Sequence, residues 1–259
     1  MEKVILTTQG LRRNFGALRA VDGVDLSVRD GAITGLIGPN GAGKSTLFGL
    51  IAGEVKPSGG EIAFDGKPIA GLSPDRIFHA GLARTFQIPR PFPQMTVLEN
   101  AMLAPSGQSG ERFWNNWFRP SLVREEERRC RERAMEVLSF TGLAAKAQDP
   151  AGILSGGQQK LLELARVMMA QPRLILLDEP AAGVNPALLE TLIDKILALN
   201  ARGIGFLIVE HNMDMVMRIC GSIVVMAQGR LIFSGSPQEV VREQRVIDAY
   251  LGDVSDIAL

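Results

Sequence analysis

Three short stretches of the chain carry residues whose types and spacing suit work on a phosphate. The first is Gly38-Pro39-Asn40-Gly41-Ala42-Gly43-Lys44-Ser45-Thr46. Its spacing is G-x-x-x-x-G-K-[ST], that of a loop that cradles phosphates. The glycines let backbone N–H groups turn inward toward phosphate oxygens, and a helix starting at the end of the loop adds a favourable field. Lys44 can reach β- and γ-phosphates, and the Ser45 hydroxyl can sit on Mg²⁺.

The other two stretches place acid and base groups behind apolar runs. Residues 174–177 (LILL) end on Asp178-Glu179, and residues 204–209 end on Glu210-His211. A carboxylate in the position of Asp178 can hold Mg²⁺, often through water. A second carboxylate directly after it, Glu179, can orient and deprotonate an attacking water. His211 can hydrogen-bond a γ-phosphate or that water. Gln87 closes the stretch RTFQ at 84–87 and can sense both metal and water. A lone strand-end Asp or His is ordinarily a cap or a satisfied polar residue. Four such groups together with a phosphate loop point to a joint ATP-hydrolysing site.

The elements that must position these residues follow from the pattern of apolar residues. Residues 32–37 (AITGLI) read as a buried strand feeding the loop, and 46–52 as the first turns of a helix that closes at Gly53. Strands are expected at 3–9, 21–28 and 61–65 before the central ones, and at 222–227 and 231–234 after them. The short apolar runs at 174–177 and 204–209 have the character of central parallel strands. In open parallel sheets ligands bind beyond the C-terminal strand ends, where all three stretches would converge. Ser73-Pro74 opens a helix that ends near Gly81. Further helices are expected at 160–170, 186–202, 213–219, 237–242 and 246–251.

Between residues 87 and 160 the character changes. Prolines at 89, 91 and 93 break regular structure, and helical patterning resumes at 96–104. A long helix spans 121–140, its first half densely charged, with Glu125–Arg129 and Glu127–Arg131 at i,i+4. Ahead of it, Phe113, Trp114, Trp117 and Phe118 would share one helical face, which either folds back on the 121–140 helix or meets a membrane partner. Leu154-Ser155-Gly156-Gly157-Gln158-Gln159 precedes the next helix.

Composition bounds the class. The chain has 259 residues, 46% of them hydrophobic, enough for one large α/β domain with a subdomain. Acidic and basic residues balance at 28 each, so nothing suggests a nucleic-acid partner. Cys130 and Cys220 stand far apart without metal-like spacing, as packing residues in a reduced, cytoplasmic setting would. No signal-peptide pattern is expected at the N-terminus, and no run approaches the roughly 18 apolar residues of a membrane span.

In this linear order the motifs resemble those of the ATP-binding cassette (ABC) family of transport ATPases. The order is the loop at 38–46, Gln87, Leu-Ser-Gly-Gly-Gln at 154–158, LILLDE at 174–179 and His211. The resemblance covers nearly the whole chain. It implies a P-loop NTPase core with an antiparallel β subdomain and an inserted α-helical subdomain. Residues 1–87 and 159–259 would form the core with its β subdomain, and 88–158 the helical subdomain, within a single domain spanning 1–259. It implies ATP and Mg²⁺ as ligands, with Phe15 stacking on the base. Two nucleotide domains, of the same or a paralogous chain, would associate head to tail. Each ATP would then lie between residues 38–46 of one copy and Ser155, Gly156, Gly157 and Gln158 of the other. Integral membrane permease subunits and an extracytoplasmic solute-binding protein are the further partners implied, with the chain peripheral on the inner face of the membrane.

Many relatives carry Ser-x-Leu-Asp after the catalytic carboxylate. This chain has Ala182-Gly183-Val184-Asn185, then Pro186. Together with TFQ…MTVLEN at 85–100 and AYLG at 249–252, that is similar to the ATPases of branched-chain amino-acid uptake. Importers of urea and short amides, and lipopolysaccharide-exporting ATPases, share the look. A soluble ABC protein of translation or repair would show tandem cassettes or long coiled-coil inserts, which this chain lacks.

Overall fold

The computed structural model describes residues 3–85, 91–103 and 120–255. Gln87 and the cluster Phe113, Trp114, Trp117 and Phe118 lie outside the described residues. The chain separates into two units. One comprises residues 1–87, 173–182 and 196–259, the other residues 88–172 and 183–195.

The first unit contains two sheets. The antiparallel sheet is built on β1 (Val4–Phe15), which pairs with β2 (Leu18–Val24), β3 (Ser27–Arg29) and β5 (Gly59–Phe64), with β6 (Lys67–Pro68) beyond β5. The single strand expected at 21–28 is therefore two. The break is built by Thr8, only 3% exposed. Its hydroxyl donates to the Val24 carbonyl at 2.8 Å and accepts from the Leu26 N–H at 2.9 Å. Backbone groups that a continuous ladder would have paired are satisfied by that side chain instead. β1 outruns the expected 3–9 because register shifts against β2 at Leu11/Arg12 and Arg13/Asn14 let it bend and continue.

The second sheet has the order β11-β10-β4-β9-β8-β7. Its strands are β4 (Ile33–Ile37), β7 (Leu82–Arg84), β8 (Leu174–Asp178), β9 (Gly205–Val209), β10 (Ser222–Ala227) and β11 (Arg230–Gly235). Every neighbouring pair is parallel except the β10–β11 hairpin. β4, β8 and β9 are buried along their whole length, which is why their sequences are apolar runs and do not alternate. Register puts both Leu36 and Asp178 opposite Val209. The three strands that carry the candidate groups thus end at one level.

Helix α1 (Lys44–Ile51) follows β4 and buries Leu47, Phe48, Leu50 and Ile51. These join Ile5, Leu6 and Phe64 of the antiparallel sheet and Leu36, Leu176 and Leu207 of the parallel one in a single apolar cluster. A helix that is apolar on nearly every side is a core helix. α2 (Pro74–His79) has Ser73 at its N-cap and Pro74 in its first turn, as the sequence indicates.

In the second unit, α3 (Val97–Met102), α4 (Pro120–Phe140) and α5 (Gly156–Met169) pack on one another. Asn100, fully buried, accepts from the Phe92 N–H at 2.8 Å and donates to the carbonyls of Phe92 and Thr96. It thereby holds the proline-rich turn against α3. Along α4 the charged half is solvated, with Glu125 paired to Arg128 and Arg129, and Arg128 also to Glu132. Ala134, Val137 and Leu138 are buried in its second half. α6 (Pro186–Asn200) begins in the second unit and ends in the first. α7 (Met213–Ile219), α8 (Pro237–Arg242) and α9 (Gln244–Ser255) belong to the first. Among the described residues no helix is long and apolar enough to cross a membrane.

Candidate functional site

The loop between β4 and α1 is held open by backbone geometry that its glycines alone permit. Gly38 has φ 151°, and a Cβ there would stand 2.1 Å from the Met226 carbonyl oxygen. Gly43 has φ 97°, and its Cβ would meet the Ala20 carbonyl oxygen at 2.2 Å. Backbone does not yield to such contacts. Lys44, 6% exposed, donates from Nζ to the carbonyls of Gly38 at 2.7 Å and Pro39 at 2.9 Å. Its charge is thus laid across the mouth of its own loop, where a phosphate would compete for it.

The loop forms one wall of a cleft of about 660 Å³. Asn40–Thr46 line it together with Phe15, Glu179 and His211. Phe15 ends β1 and is 46% exposed, with the Arg13 guanidinium 4.4 Å from its ring centroid. One aromatic face is used by that cation, which leaves the other for a planar ligand.

Glu179 is the first residue beyond β8. Its φ is 47°, a left-handed conformation that is uncommon for a residue with a Cβ and that clusters at functional sites. Its N–H bonds the Val209 carbonyl at 2.9 Å, pinning the end of β8 to β9. Its carboxylate Oε1 lies 3.3 Å from His211 Nε2. Two groups from different strand ends therefore share the cleft.

Sequence reasoning missed three contributors. Glu210, 3% exposed, accepts from the N–H groups of Ala181, His211 and Asn212. It clamps the turn after Glu179 to the turn that carries His211. A carboxylate directly ahead of the histidine, behind an apolar strand, was the available signal. Arg84, at the end of β7, is 13% exposed and donates to Asp178 at 2.7 Å and to Glu54 at 2.6 Å. An arginine closing the short apolar run Leu82-Ala83 was the clue there. The third is the β10–β11 turn. Gln228 (φ 48°) and Gly229 line the cleft, and the Gly229 N–H bonds the Ala42 carbonyl at 3.1 Å. The sequence marks Gln228-Gly229-Arg230 as a strand link, but nothing local assigns it to the cleft, because only the sheet order brings it beside the loop.

The C-terminal helix also reaches the loop. Burial raises the Tyr250 phenol above its usual pKa, an effect the Gly38 backbone partly offsets by hydrogen bonding.

Ser155–Gln158 belongs to the second unit. α5 starts at Gly156, ahead of the expected residue 160, because Ser155 is its N-cap. The Ser155 hydroxyl accepts from the Gln158 N–H, and the Gln158 side chain accepts from the Ser155 N–H at 3.1 Å, a capping box. Asn185 caps α6 with a single such bond, its Oδ1 accepting from the Leu188 N–H at 2.9 Å. An amide performs that task as a carboxylate would.

The comparisons with known proteins agree with one another. Residues 21–182 match the profile of the ABC transporter family, and residues 230–256 that of the branched-chain amino acid ATP-binding cassette transporter. The chain is 41% identical to the high-affinity branched-chain amino acid transport ATP-binding protein BraF of Pseudomonas aeruginosa, over 98% of this chain and 100% of that one. It is 38% identical to the corresponding LivG protein of Escherichia coli, over the same shares. Among solved structures it resembles the ADP conformation of an ATP-binding cassette of an ABC transporter. The TM-score there is 0.83 and the identity 38%, covering 96% of this chain and 99% of the other. The motif order, the cleft around the 38–46 loop and these likenesses lead to one conclusion: the chain belongs to the ABC transporter family, as an ATP-binding subunit of the branched-chain amino acid group.

Proposed function

We propose that this subunit hydrolyses ATP in the cleft formed by residues 38–46, Phe15, Glu179 and His211, and so energises uptake of branched-chain or other hydrophobic amino acids. The observation that carries the reading is the Glu179–His211 pair, 3.3 Å apart, in the cleft that Lys44 and Ser45 line. Phe15 takes the base on its open face. The loop amides and Lys44 take the phosphates, and Lys44 exchanges its two carbonyl partners for β- and γ-oxygens. Glu179 accepts a proton from the attacking water, and His211 orients that water or the γ-phosphate. Gln87, at the junction of the two units in sequence, is assigned to sensing the metal and water.

The residues present fit Mg²⁺. Ser45 and Asp178 offer the hard oxygen donors this ion prefers. Among the described residues no cluster of three or more His, Cys, Asp or Glu makes a metal cage. In this reading the ion is held by one carboxylate and the phosphates of a nucleotide. When bound, it neutralises charge on the β- and γ-oxygens.

Ser155, Gly156, Gly157 and Gln158 form a capped helix start with N–H groups suited to an anion. We assign them to the ATP of a second copy or a paralogous chain. The remaining partners in this reading are permease subunits in the membrane and a solute-binding protein outside it. The chain then works at the cytoplasmic face, with the helical segment 88–158 toward the permease.

The test is Glu179→Gln, which keeps shape and loses the base. Turnover should fall by about 10²–10⁴-fold while ATP binding persists and the Mg-ATP form accumulates as a dimer. Ser155→Arg in that background should abolish the dimer by filling the anion-facing turn. Unchanged turnover in Glu179→Gln would overturn the assignment.

A further inference from the structure

Asp178 is buried, 7% exposed, and a buried carboxylate is costly unless a positive charge stands beside it. That charge is Arg84, whose Nη2 donates to Asp178 Oδ2 at 2.7 Å. Nη1 donates to Glu54 Oε2 at 2.6 Å, and the guanidinium lies 5.8 Å from the centroid of the Phe48 ring. The side chain is thus held from three directions and does not depend on Asp178 for its position. β7 fixes where it starts, since Arg84 is paired in register with Leu176, two residues before Asp178. The three charges sum to −1, so one negative charge is left for an incoming cation. Arg84 occupies Oδ2 only, and Oδ1 is not part of the pair.

We propose that Arg84 is the resident counter-ion and positioning residue of Asp178. It neutralises the carboxylate before Mg²⁺-nucleotide arrives, fixes its rotamer, and sets the metal affinity by competing for its charge. A planar fork that bridges two carboxylates suits this task, and a lysine would not reproduce it. Once a divalent ion draws on Asp178, Arg84 keeps Glu54 as a partner and stays in place. The inference rests on the proposed role of Asp178 toward Mg²⁺.

The experiment uses the full-length subunit with Arg84→Met, Arg84→Lys, Asp178→Asn and the double variant Arg84→Met/Asp178→Asn. In EDTA without nucleotide, Arg84→Met should lower the melting temperature by about 5–10 °C, because Asp178 is left buried and unpaired. The double variant should recover more than half of that loss. With saturating MgADP the deficit of Arg84→Met should shrink to less than about half, as the metal supplies the missing charge. In calorimetric titrations of Mg²⁺ at fixed ADP, Arg84→Met should bind the ion about 3–10-fold more tightly, and Asp178→Asn more weakly. Arg84→Lys should fall between parent and Arg84→Met in EDTA, and it carries the test if Arg84→Met does not fold. An equal deficit with and without MgADP and no recovery in the double variant would overturn the inference, as would Arg84→Lys matching the parent. Failure of the metal reading is separately visible: Asp178→Asn would leave Mg²⁺ affinity unchanged, while the EDTA series still judges the Arg84–Asp178 pair.

Discussion

Glu210 accepts a hydrogen bond from the backbone N–H of Ala181, a residue 29 positions earlier in the chain. Its other carboxylate oxygen takes the N–H groups of His211 at 2.9 Å and Asn212 at 3.0 Å. One buried side chain therefore sets the spacing between the turn that carries Glu179 and the turn that carries His211. Glu210→Gln exchanges one acceptor oxygen for a donor that faces an N–H group. If Glu179 and His211 act as proposed, turnover should fall by about 10–100-fold, since small misplacements of reacting groups are costly. The KM for ATP should change by less than about threefold. Steady-state kinetics on the variant would show a matching rise in KM if Glu210 merely held the fold.

Lys44→Ala removes the cation that lies across the loop. The loss of charge-assisted bonds to phosphate should weaken ATP binding by about 10–100-fold and abolish hydrolysis. Equilibrium binding of a fluorescent ATP analogue measures the first, and phosphate release the second. Near-normal turnover would remove Lys44 from the site.

Two glycines of the loop should respond differently to alanine. Gly38→Ala drives a Cβ into the Met226 carbonyl and should cost about 3 kcal/mol or more, with loss of nucleotide binding. Gly41, φ 74°, has nothing within 4 Å of its would-be Cβ. Gly41→Ala carries only the left-handed backbone cost of about 1–2 kcal/mol. Paired urea denaturation curves decide the matter, and equal losses would contradict the packing described here.

Burial pushes the Cys220 thiol up to about 12, and the Glu210 carboxylate adds to the shift. The folded-state pKa exceeds the value of 9.0 for an unburied thiol. The protonated thiol thus supports the fold up to about that pH. Its contribution is lost as pH rises from 9 toward 12, where the unfolded chain releases the proton and the folded chain retains it. Iodoacetamide at pH 8 should accordingly label Cys130, which is half-buried, well before Cys220. Peptide mapping after timed quenching reads this, and faster labelling of Cys220 would refute the buried placement.

Much of the candidate site was legible because its parts are local. A phosphate loop needs particular glycines at particular spacing, so Gly38–Thr46 announces itself within nine residues. The buried strands β4, β8 and β9 read as apolar runs because both of their faces are covered, and each is followed by a turn carrying polar groups. Ser73 and Pro74 are adjacent, so that helix start could be read from neighbours in sequence, whereas the helix expected from residue 160 begins at Gly156, capped by Ser155.

What the sequence could not decide was which distant residues meet. Glu210 and Ala181, Arg84 and Asp178, and Gly229 and Ala42 are separated by 29, 94 and 187 positions. Each pair is formed by the order of strands in the parallel sheet, not by any pattern along the chain. The split of residues 18–29 into two strands has the same origin, since it depends on the Thr8 hydroxyl arriving from β1. Local propensity and periodicity determine which residues are strand, helix or loop. Burial of charged and polar groups is a property of the assembled sheet, and it alone decided that Asp178 needs Arg84 and that one carboxylate, Glu210, holds Glu179 and His211 in register.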